Sequence, residues 1–476
     1  MKFLWIILAA IAVFFIILIY NAVKSKKNGR KLKEEKVHLS EKQQIEYAEK
    51  LGKMIKCETV SVKGSYDDTE FAKLRKTMAE LFPLIHEKAE KMTFGDDCWI
   101  FKIEGKDKSR NIMLMSHHDV VAANGEWKHP PFCGEIHDGA LWGRGTVDTK
   151  TSLFAEFTAV EELLAEGFVP ECNLYIGSSH NEEIFGDGFA LAVEYFKNNG
   201  IKFETVLDEG GGIIDPPVDF VKCKCAMIAT HEKGRRTLVC TAKQSGETKA
   251  FTLSKNPPTV RMANFISEIS SKNIFISRLY PVVRAMFEGL CPYMPFIARL
   301  VCANLWCFGG IIKLLAPKIN SQAASMLGTT MTVTNISGTS KDKICKADIY
   351  LRFIDENDFE KDLDKLKKIA AKHGVEISEG GVNESYVPAD ITQKGFTYTN
   401  ECIAEIFPNF ASSVYLLPAG TDARHMTSVC NCALRFAPLE MNNQQFDSVH
   451  NPNENISLKA IGNAVVFYKH FVKNYK

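Results

Sequence analysis

Apolar runs and amphipathic stretches alternate along the first half of the chain. Apolar runs predict strands at Asn111–Met115, Cys172–Gly177 and Thr205–Leu207. Between these runs, apolar residues at helical spacing predict helices at Ser152–Glu166 and Phe189–Asn199. Strands that alternate with helices favour a largely parallel sheet covered on both faces, so the predicted fold class is α/β.

A different pattern, typical of an antiparallel sheet with helices, begins near residue 229. An apolar stretch, Ile274–Leu315, interrupts it, and the alternating pattern returns near residue 390. We therefore predict a catalytic domain in two parts, 41–228 and 386–476, with a second domain inserted at 229–385. The elements predicted in the insert are strands at Arg236–Lys243, Thr330–Asn335, Ala347–Ile354 and Val375–Ser378, and helices at Met262–Ser271 and Asp358–His373.

The N-terminus is predicted to be a membrane anchor. Phe3 to Val23 contains no charged residue and is long enough to cross about 30 Å of hydrocarbon as a helix. The run is longer than the apolar region of a signal peptide, so we expect an uncleaved single-pass helix over 1–23 and a basic stalk over 24–40. Because the basic cluster follows the run, the positive-inside rule places the catalytic domain in the cytoplasm, with an extracytoplasmic location as the alternative.

Composition narrows the function classes. The chain has 476 residues, which is enough for more than one core, and a net charge of +1, so we expect no nucleic-acid partner. Its 14 cysteines include C-x-C pairs but no paired C-x-x-C knuckles. We interpret them as reduced core residues rather than a structural zinc site, with a disulfide framework as the alternative.

Histidine and acidic residues follow each of three predicted strands within six positions. Parallel strands place their carboxyl ends at one edge, where ligand sites form. Hydrolysis by two metals needs a carboxylate that bridges the ions, further nitrogen or oxygen ligands, and a free carboxylate that activates water. The candidates are His117, His118 and Asp119 after the first strand, Glu182 and Glu183 after the second, Asp208 of the Asp208-Glu209-Gly210-Gly211 motif after the third, Asp148 before a helix, and His450 near the C-terminus.

The order and spacing of these motifs resemble peptidase family M20, which includes aminoacylases, Gly-X carboxypeptidases and N-acyl amino acid hydrolases. The motifs are H-x-D-V-V at His117, W-G-R-G-x-x-D-x-K at Trp142, the Glu182-Glu183 pair, D-E-G-G at Asp208, G-T-D-A-R at Gly420 and a final H…N-E. The resemblance runs from about residue 40 to the C-terminus. It implies a zinc-peptidase-like α/β catalytic domain with a mostly parallel sheet and an inserted α+β, ferredoxin-like lid, through which an oligomer is also possible.

The resemblance also implies two divalent ions, zinc by family and cobalt or manganese as alternatives that suit the same ligands. His118 competes with His117 as a ligand, but only His117 has the H-x-D spacing. The implied roles are His117, Asp148 and Asp208 as ligands of one ion; Asp148, Glu183 and His450 as ligands of the other; Glu182 as general base; Asp119 as the residue that orients His117; and Arg352 and Arg424 as substrate-binding residues.

The expected function is metal-dependent cleavage of an amide next to a free carboxylate, in an N-acyl amino acid or a small peptide. The chain departs from the family pattern at Gly246-Glu247-Thr248, where active members place a lid histidine, and at 338–342, which lacks the N-x-I-P segment. Loss of an oxyanion donor costs about 10²–10³ in rate. The alternative is therefore a pseudoenzyme that binds metal and a carboxylated ligand or partner. We expect weak, metal-dependent hydrolysis that vanishes in Glu182→Ala and survives Glu247→Ala.

Overall fold

The computed structural model describes residues 2–216, 218, 220–244, 256–319, 321–338 and 343–476. The helices are α1 (Lys2–Asn28), α2 (Glu41–Ile55), α3 (Asp68–Leu81), α4 (Pro83–Lys88), α5 (Lys150–Ala165), α6 (Gly188–Asn198), α7 (Pro258–Ser271), α8 (Pro281–Leu290), α9 (Phe296–Cys302), α10 (Leu305–Ile319), α11 (Ser321–Ser325), α12 (Glu356–Lys372), α13 (Lys394–Ile406), α14 (Ala423–Met426), α15 (Asn443–Asp447) and α16 (Leu458–Asn474). The strands are β1 (Glu90–Phe94), β2 (Cys98–Ile103), β3 (Asp107–His117), β4 (Glu135–His137), β5 (Ala140–Trp142), β6 (Cys172–Ser179), β7 (Thr205–Asp208), β8 (Gly212–Ile214), β9 (Cys225–Glu232), β10 (Gly234–Lys243), β11 (Thr330–Ser337), β12 (Ile344–Phe353), β13 (Val375–Glu384), β14 (Ala411–Leu417), β15 (Ala433–Arg435) and β16 (Asn455–Ser457).

The larger sheet has nine strands in the order β1-β2-β6-β3-β7-β15-β9-β14, with β8 paired to β9. The four central strands, β6, β3, β7 and β15, are parallel to one another. The strands β1 and β2 pair antiparallel, and β9 runs antiparallel to β15 but parallel to β14. The predicted α/β class is confirmed, and the sheet is mixed with a parallel centre rather than mostly parallel throughout.

Helices cover both faces of this sheet. All eight residues of β6 are buried, as are the last seven of β3, which is typical of strands that have no solvent face. Helix α5 packs against β3 and α16 on one face, and α6 packs against β1 and β2 on the other, where Phe196 of α6 contacts Tyr175 of β6. The continuous apolar runs that predicted β3 and β6 follow from this two-sided burial.

A second, four-stranded antiparallel sheet has the order β11-β12-β10-β13. Helices α7 and α12 pack on it around a separate apolar core that contains Leu238, Phe265, Ile349 and Leu363. Residue 229, the predicted start of the inserted domain, lies inside β9 of the larger sheet, and the chain passes to the smaller sheet at Gly234.

The apolar stretch that interrupts the predicted insert packs on the larger sheet instead. Helix α8 lies against β14, and Val283, Met286 and Leu290 belong to the larger core. The fit is close, because a Cβ atom at Gly289 would come within 2.5 Å of Ser413 Oγ. The chain segment between α7 and β11 therefore returns to the larger sheet before the smaller one is completed.

The N-terminal apolar run forms one helix, as the sequence predicts. Helix α1 is long and apolar enough to cross a membrane, and Leu18 and Ala22 are its buried residues. The segment after α1 is not helical but lies along the larger domain, where the backbone N–H of Lys33 donates to the Pro408 carbonyl at 2.9 Å.

Candidate metal centre

Three neighbouring strands of the larger sheet deliver charged side chains to one edge. The strand β3 ends at His117, the Glu182-Glu183 pair follows β6, and Glu209 follows β7 directly. Because β6, β3 and β7 are adjacent and parallel, their carboxyl ends lie side by side. The convergence that the motif order predicts is therefore a consequence of the strand order.

Two further residues, Asp148 and His450, reach this edge from loops. Asp148 comes shortly before α5, and His450 follows α15. The short strands β16 and β5 pair antiparallel, with Asn455 opposite Trp142, and this pairing brings the two loops together. His450 has a left-handed backbone conformation with φ of 61°, which is uncommon outside glycine.

Asp148 lies between two groups of metal-ligating side chains. Its Oδ1 is 3.0 Å from His117 Nε2, and its Oδ2 is 3.0 Å from His450 Nε2. Glu183 Oε2 is also 3.0 Å from His450 Nε2. The two groups are His117 with Asp148 and Glu209, and Asp148 with Glu183 and His450, each with ligand atoms within 4.8 Å of one another. Each oxygen of one carboxylate thus faces a different group, which is the arrangement that two neighbouring cations need.

Glu209, and not Asp208, lies in the group with His117. Asp208 is the last residue of β7, and its carboxylate accepts the backbone N–H of Ala423 at 2.7 Å and of Glu209 at 2.9 Å. These contacts turn Asp208 towards the start of α14, away from both groups. The sequence prediction of Asp208 as a ligand is therefore not matched by the geometry, which brings Glu209 to that position.

The electrostatics of the centre show a buried excess of carboxylates. Burial raises the pKa of Glu182 and Glu209 well above the usual range, and the negative charge of Asp148 adds to the effect at Glu209. Burial and Asp148 likewise raise the pKa of Glu183 to about 7, and Glu183 Oε1 has no hydrogen-bond partner among the described residues. Hydrogen bonds to Asp148 and Glu183 raise the pKa of His450 to about 10. These nitrogen and oxygen donors fit two divalent ions, which would neutralise the excess charge.

Asp119 supports the centre from behind. One of its oxygens is 3.3 Å from His117 Nδ1, as expected for a residue that orients a metal-binding imidazole. Its two oxygens also accept the backbone N–H groups of Glu182 at 3.2 Å and Glu183 at 3.1 Å, and Ser61 donates its hydroxyl at 2.6 Å. Asp119 therefore fixes the position of the glutamate pair as well as that of His117.

Glu454 is a structural carboxylate for which the sequence predicts no role beyond its place in the final motif. It is fully buried and shapes the loop that carries Asp148. Its donors are Arg144 Nη1 at 2.7 Å and the backbone N–H groups of Gly145, Val147 and Asp148 at 2.7–3.1 Å. In the sequence, the final H…N-E motif already indicates Glu454, because it places this glutamate shortly after His450.

Arg424 contacts Glu182 and does not line the cavity beside the centre. Its Nη1 is 3.3 Å from Glu182 Oε1 and its Nη2 is 3.3 Å from Asp422 Oδ1. The guanidinium also lies over the Phe185 ring, with 5.3 Å between its carbon and the ring centroid. The competing histidine, His118, stacks on Trp99 at 3.9 Å and belongs to neither ligand group.

A cavity of about 360 Å³ opens beside the centre. Arg352 reaches it from β12 of the smaller sheet, and Arg352 Nη1 is buried without a hydrogen-bond partner among the residues that the structure describes. The turn that contains Glu247 and the segment 339–342 lie outside the described residues. The cavity thus combines carboxylates at one wall, a cation at another and an apolar wall formed by Ile214, Met227, Leu417, Leu439 and Met441.

Comparison with known proteins gives consistent matches. The model of peptidase family M20/M25/M40 matches residues 113–474. The chain is 28% identical to a probable carboxypeptidase S-like 2 of Dictyostelium discoideum, over 90% of this chain and 85% of that protein. It is also 28% identical to the N-fatty-acyl-amino acid synthase/hydrolase PM20D1 of Xenopus tropicalis, over 92% and 87%. Among solved structures, the M20 family metallo-carboxypeptidase Sso-CP2 of Sulfolobus solfataricus has the same fold, with a TM-score of 0.64, 19% identity and coverage of 90% and 98%.

Proposed function

Because the chain belongs to peptidase family M20/M25/M40 and is thereby a hydrolase of amide bonds, we propose that it cleaves the amide next to a free carboxylate in an N-acyl amino acid or small peptide. One observation carries the proposal. The carboxylate of Asp148 is shared between two groups of nitrogen and oxygen ligands, and Glu182, which belongs to neither group, lies in the same cavity wall.

The proposed ligands of one divalent ion are His117, Asp148 and Glu209, and those of the other are Asp148, Glu183 and His450. Zinc suits these donors, and cobalt or manganese would also be accepted. When bound, such ions polarise a carbonyl group and lower the pKa of water. Asp119 and Glu454 keep the ligand-bearing loops in place through their contacts with backbone N–H groups.

Glu182 is the proposed general base. It lines the cavity, and burial raises the pKa of its carboxyl, which makes it a better proton acceptor than an exposed glutamate. Arg424 holds the carboxylate through a contact of 3.3 Å. After accepting a proton from the attacking water, Glu182 is placed to pass it to the leaving amine. Arg424 then acts as a positioning residue for Glu182 rather than as a substrate ligand.

The substrate is proposed to lie across the cavity between the two sheets. The unpartnered Nη1 of Arg352 suits the free carboxylate of the product amino acid, because a guanidinium binds a carboxylate through two parallel hydrogen bonds. The apolar wall suits an aliphatic or aromatic acyl group. The smaller sheet, which supplies Arg352, would then serve as the lid of the site.

The location is part of the proposal. We place α1 across a membrane as a single-pass anchor and the catalytic domain on the side of the exposed basic residues Lys24, Lys27 and Lys31. The positive-inside rule makes that side the cytoplasm.

Activity of the full-length protein on a panel of N-acyl amino acids and dipeptides tests the chemistry. Wild type and Glu182→Gln should bind equal amounts of metal, and the variant should lose at least about 100-fold in kcat, since it lacks the general base. Glu80→Gln, at an exposed glutamate on α3, is the matched control and should behave as wild type. Metal-loaded wild type and Glu182→Gln that are equally inactive on every substrate would contradict the proposal and favour a protein that only binds carboxylated ligands.

A further inference from the structure

We propose that α9 and α10 form a second membrane-inserted element, a re-entrant helical hairpin that lies beside α1 in the bilayer and seats the domain on the membrane. The inference rests on the proposed anchoring by α1 and goes beyond it. Taken together, the two helices are long and apolar enough to form a membrane span that is interrupted by a bend. The angle between them at the bend is 102°. In this arrangement the exposed face of the two helices contacts lipid hydrocarbon.

The hairpin packs directly on α1. Helix α1 packs against α9 and against the short helix Cys291–Tyr293 that precedes it. The approach is tight, because a Cβ atom at Gly29 would come within 2.1 Å of Pro292 Cβ. Lys26 Nζ donates to the Pro292 carbonyl at 3.0 Å. The hairpin and α1 are therefore neighbours along the membrane-proximal part of α1.

Trp306 lies at the depth of the hydrocarbon core of the bilayer. The ring of Trp306, near the start of α10, lies edge-on to Phe14 with 6.0 Å between the centroids. Phe14 is nine residues before Val23, the last residue of the apolar run, or about 13 Å along a helix. Since the hydrocarbon core is about 30 Å thick, a spanning α1 places Trp306 near its centre. If α1 crosses the bilayer, the bend of the hairpin enters it as well.

At the bend, where α9 ends and α10 begins, the polar groups are hydrogen-bonded within the protein. Non-helical backbone at membrane depth is tolerated only where protein satisfies its polar groups. Asn304, at the bend, is fully buried, and its Nδ2 donates to the carbonyls of Leu18 at 3.0 Å and Leu300 at 2.8 Å. Its Oδ1 accepts from Asn21 Nδ2 at 2.8 Å and Trp306 Nε1 at 3.2 Å.

Asn304 also caps the backbone at the bend. Its own N–H donates to the Val301 carbonyl at 3.1 Å, and its carbonyl accepts from the N–H groups of Cys307 at 2.9 Å and Phe308 at 3.0 Å. Every polar atom of Asn304 is therefore used within protein, and two of its side-chain contacts are made with α1. A water-exposed bend would not need this arrangement.

The exposed surface of the hairpin is apolar. Six large apolar side chains are 44–71% exposed within twenty residues, and a soluble protein rarely leaves such a patch uncovered. The patch is continuous with the exposed apolar surface of α1. The six are Phe296, Ile297, Trp306, Ile311, Leu314 and Leu315.

The contacts next to the hairpin also fix which end of the domain faces the bilayer. Arg30 Nη2 donates to the Phe407 carbonyl at 3.2 Å and to the Phe410 carbonyl, just before β14 begins. At the other end of β14, Leu417 lines the cavity, about 20 Å away at the rise of a strand. The membrane therefore lies at the amino ends of β9 and β14, and the cavity opens towards water.

Fluorescence quenching by brominated lipids tests the insertion. Full-length Trp5→Phe, which lacks the tryptophan of α1, is reconstituted into phosphatidylcholine–phosphatidylserine vesicles whose acyl chains carry bromine near the bilayer centre. We expect quenching relative to unbrominated vesicles and its loss in Trp5→Phe/Trp306→Phe. Equal ratios of brominated to unbrominated fluorescence in the two variants would overturn the proposal, including the case in which a second copy covers Trp306.

Membrane retention provides a second readout that does not depend on tryptophan. A protease site is placed after Glu34, in the exposed segment between α1 and the domain. After cleavage the domain should stay with the vesicles, and Ile311→Glu/Leu314→Glu should release it, because those side chains face lipid. Val62→Glu/Val387→Glu, at exposed apolar residues away from the hairpin, is the matched control and should be retained.

Release of the wild-type domain after cleavage, or retention of the Ile311→Glu/Leu314→Glu domain, would contradict the hairpin. Neither readout involves hydrolysis, so both are independent of the proposed reaction. Failure of the uncleaved full-length protein to associate with vesicles would instead refute the proposed anchor.

Discussion

At the residue scale, the buried carboxylates around Asp148 divide into two kinds by what they accept. Asp119, Asp208 and Glu454 accept backbone N–H groups and so determine where loops and strand ends lie. Glu183 and Glu209 lie in the ligand groups. A carboxylate that is already bound to N–H groups gains little from a metal, whereas one surrounded by other carboxylates gains much. Both kinds consist of aspartate or glutamate, so the surroundings of each carboxylate decide whether it holds the backbone or belongs to a ligand group.

This division predicts the metal content of two neighbouring variants. Glu209→Ala should reduce the bound metal from about two ions per chain to about one, because His117 and Asp148 are left as a weaker pair. Asp208→Asn should keep both ions, since its side chain faces the N–H of Ala423. Metal analysis of dialysed protein measures the stoichiometry. Loss of an ion from Asp208→Asn with full occupancy in Glu209→Ala would reverse the assignment.

The sequence alone does not decide whether Asp208 or Glu209 is the metal ligand. Asp208 and Glu209 are adjacent, acidic and at the end of the same strand, so spacing does not separate them. What separates them is a hydrogen bond from Ala423, more than two hundred positions later in the chain. His117 was identifiable because only it has the H-x-D spacing, and Asp148 and His450 because each is the one candidate of its type in its motif. The choice of Glu183 over the adjacent Glu182 came from the resemblance to the family.

At the element scale, an ion pair joins the first and the last of the chain connections between the two sheets. Arg235 near the start of β10 is opposite Glu384 at the end of β13, with contacts of 2.5 Å and 2.8 Å between the guanidinium and the carboxylate. Burial by itself would raise the pKa of Glu384, but hydrogen bonds from Arg235 and Tyr386 outweigh it and lower the pKa to about 2. The ion pair therefore links the start of β10, where the chain first enters the smaller sheet, to the end of β13, where it leaves that sheet for the last time.

The lowered pKa of Glu384 gives a pH dependence with a definite sign. A depressed carboxyl pKa contributes stability that is fully present above the unfolded value of about 4.5 and is lost as the pH falls through the folded value of about 2. The free energy of unfolding of wild type should thus fall more steeply than that of Glu384→Gln between pH 4.5 and 2. Denaturant titrations at several pH values measure it, and parallel curves would exclude a role for the pair.

The central elements were predictable and the peripheral ones were not. The runs within β3, β6 and β7 are mostly apolar because both faces of these strands are covered, so they can be recognised from the sequence alone. β1 alternates exposed and half-buried positions, and β8 has three residues, so neither gives a run to detect. β9 is buried, but its end coincides with the change from the alternating strand-helix pattern to the antiparallel one. The predicted start of the inserted domain therefore falls within β9.

At the scale of the whole molecule, the candidate site needs both sheets. The larger sheet supplies the two ligand groups and Glu182, and the smaller sheet supplies Arg352 to the same cavity. The motif order predicted the first contribution, since it depends on neighbouring strands. The second depends on how two separately packed cores lie against each other, and only the resemblance to a family pointed to Arg352.

Arg352 therefore gives the last prediction, which concerns substrate recognition across the two sheets. Removing a hydrogen bond to a charged group costs about 1.5–3 kcal/mol, so Arg352→Met should lower kcat/KM on an N-acyl amino acid on the order of 10- to 100-fold. The loss should fall mainly on KM and should largely disappear with the matched substrate that carries a carboxamide in place of the carboxylate. Arg352→Lys should recover part of the activity, because it restores the charge without the two-pronged geometry. The exposed Arg284→Met serves as the control for loss of a positive charge. Equal losses on the carboxylate and the carboxamide substrates would show that Arg352 supports the packing of the sheets and does not bind the carboxylate.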